Sequence, residues 1–83
     1  MTDEIKVERI QTGMRIEKRL VKVLKAVAEY LDMTLGDLIE GIVLHAFEGK
    51  SPFSATMIEK ISDIKKIYEL ELNSSHSHKL IEP

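Results

Sequence analysis

The spacing of apolar positions changes near residue 17. From Arg9 to Ile16, the larger apolar residues alternate with other residues, at Ile10, Met14 and Ile16, with Thr12 between them. This period of two is typical of a half-buried β-strand. A lone strand cannot satisfy its own backbone hydrogen bonds, so the pattern predicts a strand that pairs outside its own chain. The alternate positions, which would face away from the core, are polar or bare: Arg9, Gln11, Gly13 and Arg15.

Beyond residue 17, apolar residues recur at steps of three and four, which is the spacing of amphipathic helices. The pattern predicts three helices. The first runs from about Glu17 to Leu31, the second from about Leu35 to Phe47 or Glu48, and the third from between Ser54 and Thr56 to about Leu72. Thr34 with Asp37, and Thr56 with Glu59, have the spacing of helix-starting capping boxes, and Gly49 followed by Pro52 marks the end of the second helix.

The second predicted helix is apolar around most of its circumference, more than the first helix alone could cover. Its apolar residues are Leu35, Leu38, Ile39, Ile42, Val43, Leu44, Ala46 and Phe47. Together with the lone strand, this pattern predicts a mainly α fold in which two chains pair their strands antiparallel across a two-fold axis. The helices of both chains would then share one core.

The order strand, helix, turn and helix resembles the ribbon-helix-helix family, the Arc and MetJ type of repressor. The resemblance covers Arg9 to Gly49. It is carried by Arg15-Ile16, by an apolar stripe on the first helix, and by the segment Thr34-Leu-Gly-Asp-Leu-Ile-Glu. It implies one N-terminal strand and two helices per chain in an intertwined two-fold dimer, here with an extra C-terminal helix. Glu17 and Asp32 depart from the family, which often has Pro and Gly there.

Four segments follow from this interpretation. Residues 1–8 are expected to form a flexible N-terminal arm, 9–49 the ribbon-helix-helix domain, 50–72 a C-terminal helical extension, and 73–83 a polar, disordered tail. The third helix could pack on its own dimer, extend a helical interface or bind another protein.

The resemblance implies a sequence-specific DNA-binding repressor whose two-stranded ribbon enters the major groove. The base-reading positions would be Gln11, Gly13 and Arg15. Arg15 can donate two hydrogen bonds to guanine, and Gln11 can pair with adenine. Gly13 has no side chain for reading, so it would either let the backbone approach DNA or mark a bulge in the strand.

Phosphates would be held at the start of the second helix, by the Thr34 hydroxyl and the N–H groups of Leu35 and Gly36. Asp37 lies in the same turn and competes for those donors. Basic side chains near the strand, above all Arg9 and Lys18, with Arg19 and Lys22, could add contacts to the DNA backbone.

Charge distribution agrees better with this function than net charge does. The chain has 83 residues and a formal net charge of −2, yet Arg9 to Lys25 contains six basic residues and one acidic residue. The chain has no Cys, which is consistent with a reducing compartment. It has no apolar run of membrane-spanning length, and its N-terminus has no signal-peptide core. We therefore expect a soluble cytoplasmic protein that needs a partner copy for stability.

Two other functions are compatible with parts of the sequence. Residues 54–72 could bind a toxin or another protein, as in small antitoxins of this family. His45, His76 and His78 could indicate a metal-responsive variant, but no Cys or carboxylate cluster accompanies them, so no metal site or cofactor is expected. No nucleophile and base occur at a telling spacing, and no Gly-rich phosphate loop is present, so we expect no enzyme.

Overall fold

A computed structural model describes residues 4–83 as three α-helices and a short 3₁₀ turn. The helices are α1 (Lys18–Tyr30), α2 (Leu35–Phe47) and α3 (Ala55–Ile67), and the turn is Ser74–His76. Helices α1 and α2 lie where the apolar spacing predicts them. Helix α3 begins as expected but ends before the predicted Leu72.

Each helix begins at a side chain that accepts hydrogen bonds from its first turn. Thr34 accepts from the N–H of Asp37 at 3.1 Å, as predicted, and Ser54 rather than Thr56 starts α3. Helix α1 starts at Glu17, whose carboxylate accepts from the N–H groups of Arg19 and Leu20 at 2.9 and 3.0 Å. This cap was not predicted, because Glu is not a favoured residue at that position.

All three helices end in the same way, with one residue in the left-handed backbone region and a hydrogen bond spanning five residues. The left-handed residues are Asp32 (φ 56°), Gly49 (φ 68°) and Glu69 (φ 54°). This is the Schellman arrangement, which satisfies carbonyl groups that the last helical turn leaves unpaired. The spanning bonds run from Met33 N–H to Ala28 O, Lys50 N–H to His45 O, and Leu70 N–H to Lys65 O.

The core lies along α1, which packs against both α2 and α3. Its six buried apolar residues come from all three helices and from the segment after α3. They are Val23, Val27, Ala28, Leu38, Met57 and Leu70. The left-handed residue Glu69 ends α3 and turns Leu70 into this core, which explains why the helix does not continue to Leu72.

The predicted ribbon-helix-helix fold is wrong for this structure. Residues 4–83 contain no strand and no sheet, and residues 4–17 have no regular secondary structure. A strand is defined by its ladder of backbone hydrogen bonds, and within the described residues no segment supplies that ladder. Ile10 and Met14 are 84% and 64% exposed, so the alternating residues do not cover the helical core. The ribbon, and the intertwined dimer built on it, are therefore not features of this structure.

Part of the predicted N-terminal arm, residues 1–3, lies outside the described residues. At the other end of the chain, Asn73 caps the 3₁₀ turn: its side chain accepts from the N–H of Ser75, and its N–H donates to His76.

Within residues 4–83, no helix is long and apolar enough to cross a membrane.

Candidate nucleic-acid interface

Three lysines form a stripe along the solvent side of α1. Lys18, Lys22 and Lys25 occur at steps of four and three residues, so they share one helix face, about 10 Å long. All three are exposed, and none pairs with a carboxylate within residues 4–83. Val23 and Val27 on the other side of α1 are buried, which fixes the rotation of the helix and keeps this lysine stripe in solvent.

Arg9 is held against α2 by a carboxylate. Its Nε and Nη2 donate to the two carboxylate oxygens of Glu40 at 2.8 and 2.9 Å, in a bidentate pair. The hydrogen bond and the opposite charge raise the pKa of Arg9 and lower the pKa of Glu40, and the negative charge of Asp37 adds to the shift at Arg9. The sequence predicts Arg9 as a phosphate contact, but in this structure its guanidinium is already paired with Glu40 on α2.

Arg15 lies at the C-terminal tail, where its guanidinium donates to the carboxylate of Glu82. Gln11 and Gly13, the other predicted base-reading residues, are exposed on the same irregular segment. A Cβ added at Gly13 would meet nothing within 4 Å, and its φ is not in the left-handed region. Neither packing nor backbone conformation within the described chain therefore requires glycine at this position.

The start of α2 keeps part of its predicted capacity for anions. The N–H of Asp37 donates to the Thr34 hydroxyl, so this N–H group is not available to bind an anion. The N–H groups of Leu35 and Gly36 belong to the first turn, where a helix offers no internal acceptor. Gly36 is exposed and Leu35 is half-buried. The adjacent Asp37 carboxylate opposes an anion there.

The predicted residues are not assembled into one site. Arg9 contacts the side of α2, Arg15 contacts the C-terminal tail, and Lys18 begins the lysine stripe. No hydrogen bond or ion pair joins any two of the predicted residues within the part of the chain described. The partners Glu40 and Glu82 had no sequence signal, because they lie 31 and 67 residues from their arginines.

Two of the three histidines, His45 and His76, make local hydrogen bonds. His45 Nδ1 lies 2.7 Å from the carbonyl oxygen of Gly41, one turn earlier in α2. His76 Nδ1 accepts from the N–H of Asn73 at 3.0 Å. Among residues 4–83, no three His, Cys, Asp or Glu side chains are grouped so that they could hold a metal ion.

Comparisons with protein-family models, curated proteins and solved structures gave no match to this chain.

Proposed function

We propose that this protein is a cytoplasmic DNA-binding regulator of transcription that acts as a homodimer. The observation that carries the proposal is the lysine stripe on α1, which has no carboxylate partner in residues 4–83 although the chain as a whole is acidic. A row of basic residues on one rigid helix face matches the regular negative charge of a DNA backbone.

Arg15 extends this basic surface toward base contacts. It is exposed on the segment that leads directly into α1, three residues before the first lysine of the stripe. A guanidinium can donate two hydrogen bonds to one guanine base, whereas lysine ammonium groups commonly bind phosphates as point charges. We therefore assign phosphate contacts to the lysine stripe and keep Arg15, with Gln11, as the candidates for base contacts.

The ion pairs of Arg9 and Arg15 do not prevent DNA binding. Both pairs are exposed, with side-chain accessibilities of 67% and 45% for Arg9–Glu40. Exposed pairs of this kind contribute little to stability, so phosphates can displace the carboxylates at modest cost. Glu40 and Glu82 would then compete with DNA for these arginines and lower its affinity.

A homodimer is supported by the apolar surface that α2 leaves uncovered. Ile39, Val43 and Phe47, which we call the α2 stripe, lie at steps of four residues on one face, and Phe47 is 81% exposed. An isolated chain rarely leaves such a face in water, whereas a second copy could cover it with the same face. A dimer would also carry two lysine stripes and so double the positive surface offered to DNA.

The proposal is tested by titrating labelled DNA from upstream of the gene, and a scrambled duplex of the same composition, with the protein. We expect affinity to fall steeply between about 50 and 200 mM salt, because phosphate contacts release counterions. The double variant Lys22→Gln/Lys25→Gln should bind both duplexes more weakly, with the slope of log affinity against log salt reduced by about 4, because the dimer loses four lysines.

The matched control is Lys50→Gln/Lys66→Gln, which removes the same charge from positions away from α1 where each lysine pairs with a carboxylate. Its salt slope should stay near that of the unmodified protein. If the protein binds neither duplex at low salt, the proposal is refuted. An equal loss in both double variants would refute the assignment to the lysine stripe.

Base reading is tested separately. Arg15→Ala should reduce the preference for the upstream duplex over the scrambled one by about 1–3 kcal/mol while leaving binding to the scrambled duplex nearly unchanged. An unchanged preference would remove Arg15 from this role.

The alternative function, a protein-interaction module such as an antitoxin, would use residues 54–72. Part of the apolar surface of α3 is already occupied, since Met57 is buried and Ile61 and Ile64 pack against the core, whereas Ile58 and Ile67 are exposed. The DNA proposal therefore has the more direct support, and copurification with the product of a neighbouring gene would favour the alternative.

A further inference from the structure

An apolar cleft separates α2 from the beginning of α3. Helix α1 packs against both helices, but no Cα atoms of α2 and α3 come within 8 Å of each other. The gap has a volume of about 520 Å³ and reaches down to the C-terminal end of α1. This volume lies within the range of roughly 300–1,000 Å³ that is usual for small-molecule sites.

The walls of the cleft are mainly hydrocarbon. Leu31 at the end of α1, Leu38 and Ile42 on α2, and Phe53 and Met57 at the start of α3 all line it. Leu38 and Met57 belong to the buried core, so the base of the cleft is held by the same contacts that hold the fold. An apolar ligand would gain free energy here in proportion to the apolar surface that it removes from water.

One wall also presents a positive charge. The Lys60 ammonium lies 5.5 Å from the centroid of the Tyr30 ring, and both residues line the cleft. Lys60 has no carboxylate partner among residues 4–83. On the α2 side the cleft is lined by the carboxyl side chain of Asp37. A ligand with one anionic group would therefore place it at Lys60, away from Asp37.

From these contacts we infer that the cleft binds a small amphipathic organic anion, with its apolar body between α2 and α3 and its acidic group at Lys60. This inference stands independently of DNA binding, because it uses none of the residues assigned to DNA and lies away from the α2 stripe.

Gly41 allows the cleft to be closed without disturbing the core. It lines the cleft from the middle of α2, and a Cβ added there would meet nothing within 4 Å. Gly41→Leu would therefore project a side chain into the empty space where the ligand is proposed to lie. Leucine has a higher helix propensity than glycine inside a helix, so the variant should fold.

The experiment titrates the full chain with 8-anilinonaphthalene-1-sulfonate, a fluorescent amphipathic anion, and then displaces this dye with decanoate or decanol. We expect saturable binding of one dye per chain and displacement by decanoate. Gly41→Leu should weaken dye and decanoate binding by about tenfold or more, equivalent to 1.4 kcal/mol. The control Ser62→Leu adds the same side chain at an exposed α3 position outside the cleft and should change neither.

The charge is tested with Lys60→Gln, which should weaken decanoate several-fold and leave decanol unchanged. Circular dichroism verifies that each variant is folded, and light scattering gives its oligomeric state. Equal dye binding by Gly41→Leu and Ser62→Leu would overturn the inference. Failure of decanoate to displace the dye would also overturn it. If the unmodified chain binds no decanoate and Gly41→Leu changes the oligomeric state, the cleft is a contact with a second copy of the chain, and the inference is again overturned.

Discussion

Asp32 and Glu69 adopt a backbone conformation that usually belongs to glycine. Each follows the end of a helix with φ near 55°, where a Cβ crowds the following carbonyl oxygen. Gly49 occupies the equivalent position after α2 without this penalty. The same turn is thus built three times, once with the residue that suits it best.

Asp32→Gly should stabilise the protein by about 0.5–1 kcal/mol, because it relieves this crowding. The Asp32 side chain makes no hydrogen bond or ion pair within residues 4–83, so the substitution removes no contact. Urea denaturation measures the change. As the control, Gly49→Ala should destabilise by about 1 kcal/mol, since it introduces the same crowding. A loss of stability in Asp32→Gly would show that its side chain has an unrecognised role.

Glu17 links stability to pH through the start of α1. Burial acts to raise its pKa, but hydrogen bonds from the Leu20 and Arg19 N–H groups and from the Arg19 guanidinium outweigh this effect and lower the pKa below 4.5. A lowered pKa in the folded state means that the stabilisation is complete above the unfolded value and is lost as the pH falls through the folded value.

Glu17→Gln should therefore reduce the free energy of unfolding at neutral pH, and its difference from the unmodified protein should shrink as the pH falls through the lowered pKa of Glu17. Denaturant titrations at several pH values give both quantities. A difference that is constant with pH would mean that the Glu17 charge is not what stabilises α1.

Helices were predictable from the sequence, whereas the N-terminal segment was not. The apolar steps of three and four residues fixed α1 and α2, because each helix makes its own backbone hydrogen bonds and needs only one covered face. The alternation of Ile10, Met14 and Ile16 predicts a strand, but a strand needs a second backbone that a periodic pattern cannot supply. The links from Arg9 to Glu40 and from Arg15 to Glu82 depend on the fold itself and leave no local pattern.

Helix α2 exposes more apolar surface than its position in the fold explains. Only Leu38 is buried in this helix, although most of its residues are apolar. If the α2 stripe is the homodimer contact, Phe47→Ser should shift the protein toward monomer and remove the concentration dependence of the melting temperature. Ile67→Ser, at another exposed apolar residue, is the control. Identical sedimentation of the two variants and the unmodified protein would argue against this contact.

At the scale of the whole molecule, the accessible surface is large for the mass. The chain exposes 7573 Å², whereas a compact monomer of 9.5 kDa would expose about 5,000 Å². The excess is roughly 2,500 Å² for each chain, or about 5,000 Å² for two chains, which is at the upper end of the total area that obligate homodimers bury. Light scattering at micromolar concentration is expected to give a dimer.

The C-terminal tail contacts the opposite end of the chain, since Glu82 pairs with Arg15, 67 residues earlier. Glu82→Gln should tighten DNA binding by up to about fivefold, because an exposed ion pair contributes at most about 1 kcal/mol. Glu71→Gln makes the same charge change at an exposed position between α3 and the tail that forms no ion pair in residues 4–83. Equal tightening in both variants would indicate a general charge effect rather than competition for Arg15.

Because α1 lies between the other two helices, the three helices should differ in their free energy of local unfolding. Helices α2 and α3 each lie close to α1, whereas no Cα atoms of α2 and α3 come within 8 Å of each other, so either can detach while the remaining pair stays packed. Opening α1 removes both contacts at once and amounts to global unfolding. Amide hydrogen exchange should therefore be slowest in the middle of α1, around Val23 and Val27, and faster in α2 and α3. The helix that carries the lysine stripe would then be the most persistent part of the protein.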